Sequence, residues 1–276
     1  MRNIPKIAHL CWFGSQSMPL LNVFTVITFH KLNPDWQIKV YVSKQGSKDF
    51  GSLQWIQPYP GKDYFYMVEE LPYVEIIPID LTDFTCPVHT HIIAATDVFR
   101  QEILYREGGI YSDFDVIWLR SMDYFTELSV IGDPTDFQCT VSFYQTTHGF
   151  HNVSNIIAEK GSKFLYDLLQ KTKEVEPPYT HQAFGNDLWG QVYPTLKDIH
   201  AKYNRICALY YETFFPYSTY ELLKLYQQHD IQPAYGRNTM GVHWFGGNAH
   251  SQAYIDNDGF NRPCAMTSIL KKEGLI

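Results

Sequence analysis

Apolar residues in this chain come in short blocks separated by polar and turn-forming residues, and the spacing inside each block predicts an element. Ile7 to Phe13 is a nearly unbroken apolar run closed by Gly14, the pattern of a short buried strand. Between Pro19 and Lys31, positions Leu20, Phe24, Ile27 and Lys31 recur about one turn apart, which predicts a helix. The turn signal Asn33-Pro34-Asp35 follows, and Trp36 to Val42 alternates as a second strand. Val74 to Ile79 reads as a third. Residues 43–73 lack a regular period and hold several glycines, prolines and tyrosines. They are expected to form a long surface excursion, of the kind that often carries function.

His91 to Glu107 has the strongest helical pattern. Ile92, Thr96, Phe99 and Ile103 make one stripe, and Ile93, Asp97, Arg100 and Leu104 make the next. Gly108-Gly109 closes it as a left-handed cap requires. Ile110 to Leu119 then predicts a single strand rich in β-branched and aromatic residues, and Gln138 to Tyr144 another. Further helices are expected at 160–173, 187–203 and 218–228, a late strand at 240–245 and a terminal helix at 263–272. Strands alternating with helices indicate an α/β fold, with a mixed, mainly parallel sheet flanked by helices.

Composition narrows the classes of function. The chain has 276 residues, enough for a large core in one domain. Its net charge of −7, with no basic block, argues against a nucleic-acid binder. Charged residues make up 18% and aromatic ones 16%, which excludes disorder and suits both core filling and stacking on flat ligands. The five cysteines (Cys11, Cys86, Cys139, Cys207 and Cys264) form no C-x-x-C pair, so reduced, mostly buried thiols in a cytoplasmic protein are expected. No apolar run approaches the roughly 18 residues of a membrane span. Pro5, Lys6 and His9 interrupt the N-terminal apolar stretch, and no small-residue cleavage site follows, so no signal peptide is expected.

The chemistry concentrates in Gly108-Gly109-Ile110-Tyr111-Ser112-Asp113-Phe114-Asp115. In one continuous strand, Asp113 and Asp115 share a face with Phe114 opposite. Two carboxylates on an otherwise apolar strand repel each other and lose hydration, a cost that a cation removes. Mn²⁺ or Mg²⁺ takes such carboxylates together with substrate phosphate oxygens, so a metal-bound diphosphate is one reading. A solvated strand end is the other. On the preceding helix, Asp97 and Arg100 stand three residues apart, within pairing reach. That pair reads either as a clamp between helix and sheet or as polar recognition of a hydroxylated ligand.

Ala95-Thr96-Asp97-Val98-Phe99-Arg100, then Leu104-Tyr105, then Gly108 to Val116 resemble the sugar-binding D-x-D region of glycosyltransferases. The group in question contains the yeast-type α-1,6-mannosyltransferase relatives, bacterial capsule transferases and, distantly, the clostridial glucosylating toxins. Ile4 to Gly14 is similar to the group's first strand, and Val242-His243-Trp244-Phe245-Gly246-Gly247-Asn248 to its closing His-Trp segment. The resemblance implies a GT-A fold in one domain, 1–276. About 1–120 would form a Rossmann-like nucleotide-sugar half, and about 121–276 the acceptor half and closing segment. It also implies roles. Asp115 would ligate the metal, Asp113 would contact it through water or reach the ribose, and His243 would close on the metal or the diphosphate. Asp97 and Arg100 would hold the donor sugar's hydroxyls, with Trp12 and Tyr111 in the donor site.

Two segments depart from the group's pattern. Its closing motif runs on to Ser-Trp, whereas Asn248-Ala249-His250-Ser251 follows here, so Asn248, His250 and Ser251 are alternatives for the diphosphate contact. Its mid-chain sugar-contacting Asn corresponds to Asn152 or Asn155, with Asn155 preferred for its offset from Ile156-Ile157-Ala158. Gly185-Asn186-Asp187 lies near the group's Gly-Pro turn but lacks the Pro. Asn186 and Asp187 are therefore sugar-site candidates, and a helix start capped by Asn186 accounts for them as well. The implied activity is metal-dependent, retaining transfer of a hexose from a UDP- or GDP-sugar to a glycan or glycolipid acceptor. The implied setting is a soluble bacterial or viral protein of the cytoplasm, docking on a membrane only peripherally. The rivals are a metal-dependent nucleotide-sugar phosphohydrolase or nucleotidyltransferase, and a non-catalytic carbohydrate-binding protein. Tyr59, Tyr64, Phe65, Tyr66 and Tyr73 are expected to meet the acceptor.

Overall fold

The computed structural model describes residues 1–14, 17–46, 59–84, 92–145, 148–176, 179–180, 182–227, 233, 235–256 and 259–276. In chain order the elements are β1 (Ile7–Gly14), α1 (Leu20–Leu32), β2 (Gln37–Gly46), α2 (Phe65–Glu69), β3 (Val74–Ile79), α3 (Ile92–Glu107), β4 (Gly109–Ser112) and β5 (Val116–Trp118). There follow β6 (Val130–Ile131), β7 (Cys139–Gln145), β8 (His148–His151), β9 (Asn155–Ala158), α4 (Lys163–Thr172), α5 (Asn186–Val192) and α6 (Leu196–Lys202). The chain closes with β10 (Ile206–Tyr210), α7 (Leu222–Tyr226), β11 (Gly241–His243), α8 (Ala249–Asp256) and α9 (Ala265–Lys272).

Among the described residues, nine strands form one sheet in the order β3-β2-β1-β4-β9-β7-β10-β6, with β8 on β7. A separate two-stranded sheet pairs β11 with β5. The run β3-β2-β1-β4 is parallel throughout, β9 enters antiparallel beside β4, and β7 and β10 are again parallel to each other. This bears out the α/β reading and gives the first half the strand order of a Rossmann unit. It also creates a switch point. The chain leaves β1 through α1 toward β2 on one side and arrives at β4 on the other through α3. In open α/β sheets, ligands bind at the carboxyl ends of the strands that flank such a point.

Three apolar clusters fix the layers. One packs α3, α4 and α5 on the sheet around Phe99, Leu168 and Trp189, and another packs α1 around Phe29, Trp36 and Trp118. The third joins α7 and α9, with Trp244, to Leu21 and Phe24 of α1. Helix α1 therefore lies buried on nearly every side, although its sequence suggests only one apolar stripe. At the end of α3, Gly108 and Gly109 take φ of 73° and 104°. A Cβ on Gly109 would stand 2.3 Å from the Ile7 carbonyl oxygen, so only glycine lets α3 turn straight into β4 beside β1.

Several predicted elements change shape. Ile110 to Leu119 is not one strand: β4 pairs with β1 and β9, β5 pairs with β11, and Asp113-Phe114-Asp115 bends between the two sheets. The shared strand face expected for the two aspartates therefore does not exist. The 187–203 helix splits at Pro194, which lacks an N–H and disfavours helix at Tyr193. Thr195 restarts it as a capping box with Asp198. Of the 43–73 stretch, Gly46 ends β2 and Phe65–Glu69 forms α2, while 47–58 lies outside the described residues, as does Cys86. Among the described residues no helix is long and apolar enough to cross a membrane.

Candidate active site

A cleft of about 650 Å³ opens at the switch point. Trp12 and Phe13 from the end of β1, Asn22 from α1, Asp97 and Arg100 from α3, the Asp113–Asp115 bend and the segment after β11 all line it. Chemistry-bearing residues that are distant in sequence thus meet where the sheet topology leaves room for a ligand.

In one corner, Asp113, Asp115 and His243 each offer a ligand atom within 4.8 Å of the others. His243 gets there because β11 pairs with β5, which sets it opposite Val116. Its Nε2 pairs with the buried Asp115 Oδ1 at 2.9 Å. The other carboxylate oxygen, Oδ2, accepts from the Gly246 N–H at 2.8 Å. Burial by itself would lift the Asp115 carboxyl, but His243 and the Gly246 N–H hold it below the usual carboxylate range. Burial lifts Asp113 above that range, helped by the Asp115 charge and opposed by Arg100. Two carboxylates and an imidazole with ligand atoms this close together fit a divalent cation.

Arg100 ties this corner to α3. Its guanidinium lies 3.4 Å from Asp113 Oδ1 and 3.2 Å from Asp97 Oδ1, and it donates to the Val153 carbonyl at 2.7 Å. It also lies over the Tyr111 ring at 4.8 Å. Tyr111 lines the cleft as expected, but its hydroxyl donates to Asp113 at 3.0 Å, so it holds the aspartate rather than presenting a free donor. Asp97 is only 2% exposed, and its Oδ2 has no hydrogen-bond partner. Gly185 passes so close that a Cβ there would stand 2.8 Å from that oxygen, so its missing side chain keeps Asp97 open. The neighbouring Asn186 also lines the cleft, and its Oδ1 is buried and unpartnered.

Burial lifts the Asp97 carboxyl to about 7 against the pull of Arg100, with Asp113 and Asp187 adding to the rise. A carboxyl raised on folding contributes stability that is complete below its unfolded pKa, near 4, and is lost as pH rises through 7. Asp97→Asn should remove this slope. Between pH 4 and 8, urea titrations should show wild type losing on the order of 3 kcal/mol relative to the variant. Parallel stability curves would contradict a buried, protonatable Asp97.

Other expected positions lie elsewhere. Asn155 does not line the cleft: it sits in β9 opposite Ser112, buried, with Nδ2 on Ser154 Oγ at 3.2 Å. Asn152 lines it instead, its Oδ1 accepting from the Ser154 N–H at 2.9 Å. Asp187 is outside the lining and accepts from Thr180 Oγ1 at 2.6 Å. Ser251 is fully buried on α8 and donates to the Trp244 carbonyl at 2.7 Å, while His250 is exposed. Of the three alternatives at the closing motif only Asn248 lines the cleft, and its Oδ1 accepts from the His250 N–H at 2.9 Å. Asn186 does not cap α5, because Gly185 holds the cap position. Trp12 meets Phe114 edge-on at 5.6 Å. Among the tyrosines of 59–73, Tyr59 lines the cleft, Tyr64 and Tyr73 pack on the core, and Tyr66 is exposed. Asn22, Tyr211, Thr219 and Gln252 also line the cleft and carry no motif signal of their own.

Residues 23–137 match the family described as the glycosyltransferase sugar-binding region containing a DXD motif. That stretch is similar to the glycosyltransferase D-x-D region. The match bears out the family read from the motifs and spans Asp97, Arg100, Asp113 and Asp115, with His243 beyond it. Similar solved structures include PaToxG Glycosyltransferase, at 18% identity over 72% of this chain and 70% of that one, with a TM-score of 0.48. An active-site mutant of LgtC is 12% identical over 91% and 94%, with a TM-score of 0.47. The galactosyltransferase LgtC in complex with donor and acceptor sugar analogues is 11% identical over 96% and 95%, with a TM-score of 0.45. No curated protein matches the sequence.

Proposed function

We propose that the chain transfers a hexose from a UDP- or GDP-sugar to a glycan acceptor, using Mn²⁺ or Mg²⁺ held by Asp115, Asp113 and His243. The observation that carries this reading is the grouping of Asp113, Asp115 and His243 ligand atoms within 4.8 Å in the same cleft as Asp97 Oδ2, which is buried without a hydrogen bond beside Gly185. When bound, the cation would supply positive charge to the departing diphosphate without proton transfer. The remaining work falls to the chain. Asp97 Oδ2 and Asn186 Oδ1 offer acceptors to sugar hydroxyls, and Arg100, held on three sides, keeps Asp97 and Asp113 in register. Fixing the donor in this way turns transfer into an effectively unimolecular step.

Trp12 stands at the carboxyl end of β1, the position a nucleotide takes in such sheets, so we assign it to the nucleoside. About 1–120 would then be the donor half and about 121–276 the acceptor half. Tyr59 and Tyr211 are our candidates for the acceptor, and we retain the family's stereochemical outcome, retention. A two-metal phosphohydrolase would need more acidic ligands than the Asp-Asp-His group found among the described residues. Free thiols at Cys11, Cys139, Cys207 and Cys264, the last three buried, favour the cytoplasm, with peripheral membrane contact where the acceptor is lipid-linked. A thermal-shift panel tests the reading. A donor at 100 times its Kd should add about 2.7 kcal/mol, for the UDP or the GDP series and only with Mn²⁺. No shift from either series would contradict it.

A further inference from the structure

The peptide between the two aspartates is held from outside its own sheets. The Phe114 carbonyl accepts from Asn22 Nδ2 at 3.0 Å and from Thr25 Oγ1 at 2.6 Å, both on α1. Thr25 Oγ1 in turn accepts from the Val116 N–H at 3.3 Å, and Thr28 Oγ1 accepts from the Trp118 N–H at 3.1 Å. Asn22, Thr25 and Thr28 recur every three residues, and all are buried. Polar side chains inside so apolar a helix are costly unless each meets a polar group. These three meet the backbone of the bend and of β5, whose strand partner among the described residues is β11.

Closing the free edge of β5 would need only the two threonines. Asn22 adds a second donor to one carbonyl, that of the residue flanked by both proposed cation ligands. The clamp also accounts for the break itself. Ile110 to Trp118 has the pattern of one continuous strand, and the α1 side chains supply the competing hydrogen bonds that bend it at Phe114.

We propose that Asn22 and Thr25 are positioning residues for the cation site: by clamping the Phe114 carbonyl they hold the bend that brings Asp113 and Asp115 to His243. The inference rests on the cation reading above. Mn²⁺ binding, followed by water-proton relaxation with UDP or GDP present, reads the site without relying on turnover, and urea unfolding in EDTA reads the fold separately. Partners that orient metal ligands typically set affinity by about 10–100-fold, so Thr25→Val and Asn22→Ala should each weaken Mn²⁺ at least ~10-fold. Thr25→Ser, which keeps the hydroxyl, should stay within about 2-fold of wild type. Wild-type Mn²⁺ affinity in folded Thr25→Val and Asn22→Ala would overturn the inference. Should Thr25→Val not fold, Asn22→Ala decides, because it leaves the Val116 N–H bonded. Wild type that binds no Mn²⁺ would overturn the cation reading and this inference with it.

Discussion

Asp115→Asn should lower kcat for glycosyl transfer by about 10²–10³-fold or more, the range seen when a group stabilising transition-state charge is removed. The fold should survive. An asparagine oxygen can still accept from the Gly246 N–H, so the loss is that of a charge-assisted bond, roughly 1 kcal/mol in urea titrations. Excess EDTA on wild type should reproduce the catalytic defect without the stability change. Coupled release of nucleoside diphosphate measures both. Full activity in the variant or in EDTA would remove Asp115 from the cation site.

Arg100→Ala should be the most damaging single substitution to the fold. The guanidinium is 7% exposed, beside an Asp97 side chain that is 3% exposed, and it also meets Asp113 and the Val153 carbonyl. Removing it leaves two buried carboxyls and a carbonyl without their donor, a loss of about 3–5 kcal/mol for a broken buried pair. Arg100→Lys keeps the charge but not the planar fork that spans three acceptors. It should fold and raise the donor KM. Urea titration separates the two variants. A change of less than about 1 kcal/mol for Arg100→Ala, the value of an exposed pair, would show that the network is not buried.

Much of the site is legible in the sequence because its signals are local. Asp97 and Arg100 show their pairing through helical spacing, and Gly108-Gly109 marks the turn into β4. Asp113 and Asp115 are legible as a pair but not as a geometry. The residues that bend the strand between them, Asn22 and Thr25, lie about ninety positions earlier and look like polar interruptions of an apolar helix. Asn152 and Asn155 differ only in where β9 begins, and a four-residue strand gives too short a pattern to place its first residue. Ser251 is placed away from the cleft for a similar reason. Once 249–256 forms a helix, the hydroxyl points back to the Trp244 carbonyl instead of forward into the cleft. The split at Pro194 follows a local rule that the expectation of one helix over 187–203 overlooks, whereas the short β10 depends on β7 and β6 for its existence.

The most direct test of the central claim is product analysis after incubation with UDP- and GDP-hexoses. Intact nucleoside diphosphate and free or transferred hexose should form with Mn²⁺ and not with EDTA. Nucleoside monophosphate and sugar phosphate as products, or equal turnover in EDTA, would contradict a metal-assisted glycosyl transfer at Asp113, Asp115 and His243.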